Sequence, residues 1–263
     1  MNDPHREQVV AAYYDRLAQV YGDGEYFRAR RAAVLTAIAA EIEDARAVLD
    51  VGCGNGAYVA EFASRVPAAR VVGADLSPAM LHAARQRVGG RTSLVRADAM
   101  TLPFRPGSFD LVFMSHVLLL VTDLERCVTE AARSLRPGGL LVATTGTSHW
   151  RDQVRQFIAS EEWQEVEALF AAGLRATGDD EAHAAAACAG VGLRPEWRSA
   201  PFSVTWPAIE EWVRIRWLTI ADETQRARAE RWLAQVRPQV AGLTLHLTET
   251  LMTARKTSAS ARS

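Results

Sequence analysis

Val48-Leu49-Asp50-Val51-Gly52-Cys53-Gly54-Asn55-Gly56-Ala57 decides the fold. Three apolar residues and an acid run into a loop with glycine at every second position, and behind it Val59, Phe62, Ala63 and Val66 recur at helical spacing. The stretch therefore reads strand, tight turn, helix. Glycines in such a turn let the backbone pass close to a ligand with no Cβ in the way. Asp50, at the carboxyl end of the strand, turns a carboxylate toward whatever lies over the loop. Gly52-x-Gly54-x-x-Ala57 also satisfies a loose dinucleotide fingerprint, and Asp75 stands near the ~20-residue distance of a ribose-binding acid. The loop alone leaves two ligand classes open.

Working outward, Val71-Val72-Gly73-Ala74-Asp75-Leu76-Ser77, Val95-Arg96-Ala97-Asp98-Ala99, Phe109-Asp110-Leu111-Val112 and Leu135-Arg136-Pro137-Gly138-Gly139 follow in order. With the glycine loop they closely resemble the ordered motifs of class I S-adenosylmethionine-dependent methyltransferases, in the small-molecule branch typified by quinone-biosynthesis enzymes. The resemblance is tight from Val48 to Thr145. It implies a doubly wound, Rossmann-like α/β fold with a seven-stranded sheet in the order 3-2-1-4-5-7-6 and strand 7 antiparallel. It also implies S-adenosylmethionine as cofactor, with S-adenosylhomocysteine as product. Chemistry agrees, because a sulfonium, an ammonium and two ribose hydroxyls want carboxylates where a dinucleotide wants a helix N-terminus facing its pyrophosphate. Asp50, Asp75 and Asp98 supply them, and a nicotinamide enzyme has no evident use for the third.

At 263 residues with 49% apolar content, the chain can bury a full core as a single α/β domain with added cap segments. Thirty basic and 31 acidic residues leave a net charge of -1, and no basic block longer than Arg28-x-Arg30-Arg31 stands out, which argues against a nucleic-acid partner. Lys256 is the lone lysine; the arginine and alanine richness reads as a GC-rich bacterial coding bias rather than phosphate recognition. Cys53, Cys127 and Cys188 show no paired metal-ligand spacing, so no metal is expected. Reduced cysteines, a polar N-terminal stretch and the absence of a membrane-length apolar run point to a cytoplasmic protein with no membrane insertion, monomeric or homodimeric.

In chain order, Val10, Tyr13, Tyr14, Leu17 and Tyr21 predict a helix ended by Gly22-Asp23-Gly24, and Val34, Leu35, Ile38 and Ile42 predict a second. By the resemblance, such helices fold over the cofactor, with Tyr13 and Tyr14 bordering acceptor and cofactor. Strands are expected at 70–75, 92–97, 109–115, 140–145, 198–205 and 244–256. Ser77 reads as an N-cap followed by Pro78, and Leu124 to Leu135 as a helix stopped at Arg136-Pro137-Gly138-Gly139. Helices are also expected across 154–170 and 181–189. Cap segments are placed at about 5–42, 150–178 and 206–240, around a core of about 46–145 and 181–256. Trp206, Trp212 and Trp217, with Phe157 and Trp163, are candidates to wall a pocket for an aromatic acceptor.

Asp75 can accept from both ribose hydroxyls, Leu76 and Met80 can pack on adenine, and Asp98 with Ala99 and Met100 can meet the adenine edge, where the resemblance places these contacts. Asp50, Gly52, Cys53, Gly54 and Ser115 complete the expected cofactor site. Asp110, near the start of its strand, reads as structural. His116 and His149 are the candidate general bases, with His116 and Trp150 also bordering the acceptor. The expected activity is direct in-line transfer of a methyl group to a small-molecule acceptor. A nicotinamide oxidoreductase and a non-catalytic S-adenosylmethionine-binding protein remain alternatives.

Overall fold

The computed structural model describes residues 4–18, 20–90, 92–147, 150–157, 164, 181–218 and 222–257. It opens with α1 (Pro4–Leu17), α2 (Glu25–Ala37) and α3 (Ala39–Glu43), followed by β1 (Ala47–Val51), α4 (Ala57–Arg65), β2 (Arg70–Asp75), α5 (Pro78–Val88) and β3 (Ser93–Arg96). The second half brings β4 (Phe109–Ser115), α6 (Leu124–Ser134), β5 (Leu135–Thr147), α7 (Trp150–Val154), α8 (Glu181–Gly190), β6 (Leu193–Thr205), α9 (Trp206–Leu218), α10 (Glu223–Val240) and β7 (Thr244–Lys256). One seven-stranded sheet runs β3-β2-β1-β4-β5-β7-β6. β7 runs antiparallel to both its neighbours, β5 and β6, and the other neighbouring pairs are parallel.

The strands in the middle are apolar on both faces because both are covered. Val48, Leu111, Phe113 and Val142 pack under Val34, Leu35 and Ile38 of the N-terminal helices and Val59 and Phe62 of α4. Their neighbours Leu49, Val112, Met114 and Leu141 face the other way, onto Cys127, Val128 and Ala131 of α6 and Cys188 of α8. A third cluster lies beyond the ends of β6 and β7, where Leu17, Phe27, Trp150, Trp206, Ile209, Trp232 and Leu233 meet Val204 and Leu247.

Local signals set the element ends that matter for the site. Ser77 caps α5 by accepting the Met80 N–H at 3.0 Å, with Pro78 at the first helical position. Asp123 caps α6 in the same way, accepting from Arg126 at 2.9 Å. Asp110 accepts the backbone N–H groups of Arg46 and Ala47 at 2.8 and 2.7 Å and pairs with Arg136, which ties the entry to β1 to β4 and fits a structural role.

Several sequence expectations are corrected. The first helix stops at Leu17 rather than Tyr21, and the second breaks at Ile38, whose φ of -122° lies outside the helical range. Val34, Leu35, Ile38 and Ile42 are buried in the layer that covers the sheet, so α2 and α3 belong to the core and not to a cap. Arg136-Pro137-Gly138-Gly139 does not separate α6 from the fifth strand, because β5 begins at Leu135, paired with Phe109, and passes a register shift before Leu140 resumes opposite Leu111. β6 begins at Leu193, five residues before the expected Arg198, since the whole of Leu193–Thr205 finds partners along β7. Of the helix expected from Val154 to Phe170, α7 and a turn of 3₁₀ helix at Arg155–Phe157 are seen, while Trp163, Val166, Leu169 and Phe170 lie outside the described residues.

Candidate active site

The carboxyl ends of β1, β2, β3 and β4 open into one cavity, the crevice where parallel open sheets bind ligands. Asp75 ends β2. Its Oδ2 accepts the Gly54 N–H and its Oδ1 the Ser77 N–H, both at 2.8 Å, so the carboxylate is fixed between the glycine loop and the start of α5. Burial pushes its pKa up, and those backbone donors work against the rise. Each oxygen keeps a lone pair for a ligand.

The glycines of the loop do different things. A Cβ on Gly52 would fall 2.4 Å from Val117 Cγ2, and one on Gly56 3.0 Å from Ala84 Cβ, so these two make room for protein. A Cβ on Gly54 would meet nothing closer than Met80 Sδ at 3.9 Å, so this position faces open cavity. The backbone here lies at φ 53°, where glycine is at home.

Leu76, Met80, Asp98, Ala99 and Met100 line the same cavity. Asp98 Oδ1 accepts the Met100 N–H at 2.9 Å, and Arg126 Nε holds the Met100 carbonyl at 2.9 Å, which together shape the loop after β3. Gly52, Ser115 and His116 close the cavity from the β1 and β4 side, and Tyr14 closes it from α1. Tyr21, Val10 and Leu120, none of them among the expected site residues, complete much of the apolar wall.

Other expected residues fall outside this wall. Asp50 is 1% exposed beneath the loop, with no hydrogen-bond partner for either oxygen, and burial, reinforced by Asp75, pushes its pKa well up. Cys53 is turned inward, its sulfur in the space against which a Cβ on Gly73 would press, so its part is packing. Tyr13 stands behind Tyr14, the ring centroids 5.2 Å apart edge to face. Trp150 is buried edge to face on Trp206 at 5.8 Å, and Trp206 on Trp232 at 6.4 Å, so these tryptophans are core and do not line this cavity. His149 and the side chain of Trp217 lie outside the described residues.

His116 holds a φ of 56°, the only positive value among the described non-glycine residues, and its N–H donates to Thr144 Oγ1 at 3.0 Å. Nε2 points away from solvent to two groups missing from the sequence reading, Arg30 Nη1 at 3.0 Å and Glu249 Oε1 at 2.9 Å. Thr147 Oγ1 donates to Glu249 Oε2, and Arg30 Nε lies 4.0 Å from that oxygen. Burial opposes the charge on Glu249, but His116 and Arg30 outweigh it and hold the carboxyl below its ordinary range. Burial likewise opposes the charge on Arg30, and Glu249, followed by Tyr58, Tyr26 and Tyr21, more than restores it. A signal for both was present in the sequence. Arg30 takes a place on the buried stripe Tyr26, Phe27, Arg30, Val34, and Glu249 one on the inward row Leu245, Leu247, Glu249, Leu251.

Residues 49–143 match the family described as "Methyltransferase domain". A demethylmenaquinone methyltransferase of Thermus thermophilus is 38% identical over 136 residues, 51% of this chain and 60% of that protein. A malonyl-[acyl-carrier protein] O-methyltransferase of Legionella pneumophila is 42% identical over 102 residues, 38% of this chain and 36% of that protein. The chain thus spans from about a third to three fifths of the length of these relatives. In fold it is similar to the geranyl diphosphate C-methyltransferase of Streptomyces coelicolor, solved with Mg²⁺, geranyl diphosphate and S-adenosyl-L-homocysteine, at a TM-score of 0.57 and 16% identity, over 97% of this chain and 99% of the other. Residues 49–143 thus match a methyltransferase domain, and the strand order, glycine loop and acid-ended second strand around them are those of the fold it shares with the solved methyltransferase.

Proposed function

We propose that the chain is an enzyme that moves the methyl group of S-adenosylmethionine to a small-molecule acceptor. The observation that carries this reading is Asp75, held by the Gly54 and Ser77 N–H groups at the rim of a cavity into which Gly54 presents no side chain. The residues fit the cofactor. Asp75 would accept the two ribose hydroxyls, Asp98 and the backbone at Ala99 and Met100 would meet adenine, and Leu76 and Met80 would cover its faces. Asp50, buried with both oxygens unpartnered, would ionise to supply a negative charge for the ammonium end. When bound, the cofactor supplies a methyl carbon on a sulfonium, and the electron pair of the broken carbon–sulfur bond leaves with S-adenosylhomocysteine.

The protein's share is positioning. Tyr14 from α1 and Leu120 after β4 exclude water from the crevice, and holding an acceptor atom in line with the methyl carbon at ~3 Å accounts for most of the acceleration. His116, at the cavity wall on the carboxyl end of β4, is the group we assign to take a proton from the acceptor. Three free, buried cysteines support a cytoplasmic setting.

Titration calorimetry with S-adenosylhomocysteine and with NAD tests the reading. Asp75→Asn, which keeps the shape of the side chain and removes its charge, should weaken S-adenosylhomocysteine at least about tenfold, because charge-assisted hydrogen bonds contribute about 1.5–3 kcal/mol each. Binding of NAD in place of S-adenosylhomocysteine would make the cavity a nicotinamide site instead.

A further inference from the structure

Behind His116, away from the cavity, Arg30 and Glu249 form a buried pair that does not line the cofactor site. The two compete for one atom. Arg30 Nη1 can only donate, so its approach to Nε2 at 3.0 Å calls for a lone pair there. Glu249 Oε1 can only accept, so its approach at 2.9 Å calls for a proton. With the lone pair on Nε2, Oε1 is a sealed carboxylate oxygen facing another lone pair, and it has no hydrogen-bond donor in this arrangement. With the proton on Nε2, Oε1 is satisfied, and Arg30 keeps its attraction to the same carboxylate through Nε. Leaving a buried anion unsatisfied is the costlier of the two.

We propose that Glu249 is the positioning residue that holds the Nε2–H tautomer of His116, and that Arg30 limits how basic the ring becomes. The inference rests on His116 serving as base. The free Nδ1 lone pair then takes the proton of an acceptor hydroxyl, the electron pair of the O–H bond stays on the acceptor oxygen, and the resulting imidazolium keeps its Nε2–H on Glu249. This chemistry suits an acceptor with an acidic hydroxyl, phenolic or enolic, since an imidazole near neutral pH can deprotonate such a group in the course of its attack. Glu249 favours the imidazolium and Arg30 disfavours it, so the two set the ring's proton affinity from opposite sides.

The other titratable groups around the ring are shared background. Tyr58 from α4 is buried, its hydroxyl pushed up to about 12 chiefly by that burial, and it stays neutral. Asp75, Tyr14 and Tyr21 lie across the cavity, and Asp50 under the adjacent strand end.

The test is ¹⁵N imidazole spectroscopy on the full chain, free and with S-adenosylhomocysteine. In the unaltered protein, neutral His116 should carry its proton on Nε2, a measurement that needs no variant. Glu249→Gln should lower the His116 titration midpoint by about one pH unit or more, and Arg30→Met should raise it by a similar amount. A merely structural cluster would not move the midpoint in opposite directions. A proton on Nδ1 in the neutral ring, or midpoints that stay put or move together, would overturn the assignment. The same samples are titrated with S-adenosylhomocysteine by calorimetry. A protein that keeps the tautomer and the opposed shifts but does not bind that ligand leaves Glu249 in its role and removes the methyltransferase reading.

Discussion

Gly52 and Gly54 stand two residues apart, yet a methyl group added at each should fail in a different assay. At Gly54 it enters open cavity on a backbone with φ 53°, so Gly54→Ala carries about 1 kcal/mol of backbone strain and obstructs the ligand. At Gly52 it overlaps Val117, so the strand end must shift before anything binds. We expect Gly54→Ala to lose S-adenosylhomocysteine by at least about tenfold with a melting temperature lowered by about 2–4 °C, and Gly52→Ala to melt considerably lower. Wild-type affinity in a folded Gly54→Ala protein would show that the loop keeps the ligand at a distance. At this scale the sequence was most legible where chemistry and position coincide. Asp75 ends β2 and Asp98 lies two residues past β3, so a strand forecast also places their carboxylates. Arg30 and Glu249 were hidden by distance along the chain, since they reach His116 only when α2 and β7 pack beside β4 and β5.

Among the elements, α1 holds the most conditional place. It closes the cavity with Tyr14 and docks on α5 through one carboxylate, Asp15, which accepts from Ser77 Oγ and from the Ala79 N–H at 3.3 Å. Its neighbour α2, by contrast, buries Val34 and Leu35 in the sheet's own covering layer. Amide exchange in α1 should therefore slow by at least about tenfold on adding S-adenosylhomocysteine, with α2 unchanged, and Asp15→Ala should speed exchange in α1 alone. Ligand-independent protection of α1 would place it in the permanent core. Helical spacing foretold both helices but not this difference. Periodicity reports that a face is apolar and is silent on whether the partner is a sheet or another helix. Trp206 shows the same limit, because a rich apolar stripe fits a pocket wall and a core equally well, and this ring is fully buried in the core.

Across the whole molecule, buried carboxyls pull stability in opposite directions with pH. Asp50 and Asp75, raised above 3.8 chiefly by burial, hold protons in the fold that the unfolded chain has released, so stability falls as pH rises from about 4 toward their folded values. Glu249 and Glu210 sit below 4.5 because their basic partners outweigh burial, so they stabilise above that value, and their contribution is lost as pH falls through their folded values. The ligand-free protein should thus melt highest between about pH 4 and pH 5 and lose melting temperature as the pH rises above that. Asp50→Asn should flatten the upper slope, as should S-adenosylhomocysteine, whose ammonium gives Asp50 a reason to ionise. A melting temperature that climbs steadily from pH 5 to pH 8 would mean Asp50 is already charge-compensated. Strand order could be stated in advance because the resemblance carried by five motifs implies it; the proton balance could not, since it depends on depth of burial.

The β6–β7 ladder stays in register to its last pair, Thr205 opposite Thr244. The chain therefore leaves the sheet for α9 and α10 and returns to it through residues about 4.5–5.5 Å apart, the spacing of paired strands. An excursion with its two feet side by side can be lengthened, shortened or exchanged at a loop-closure cost that grows only with the logarithm of its length. The feet of this two-helix module are thereby fixed by the frame that holds donor and base, and a lineage, or an engineer, could graft a different one between Thr205 and Thr244, with Asp75, His116 and Glu249 left in place, if it rebuilds the apolar face that Trp206, Ile209, Trp232 and Leu233 bury against Leu17 and Phe27.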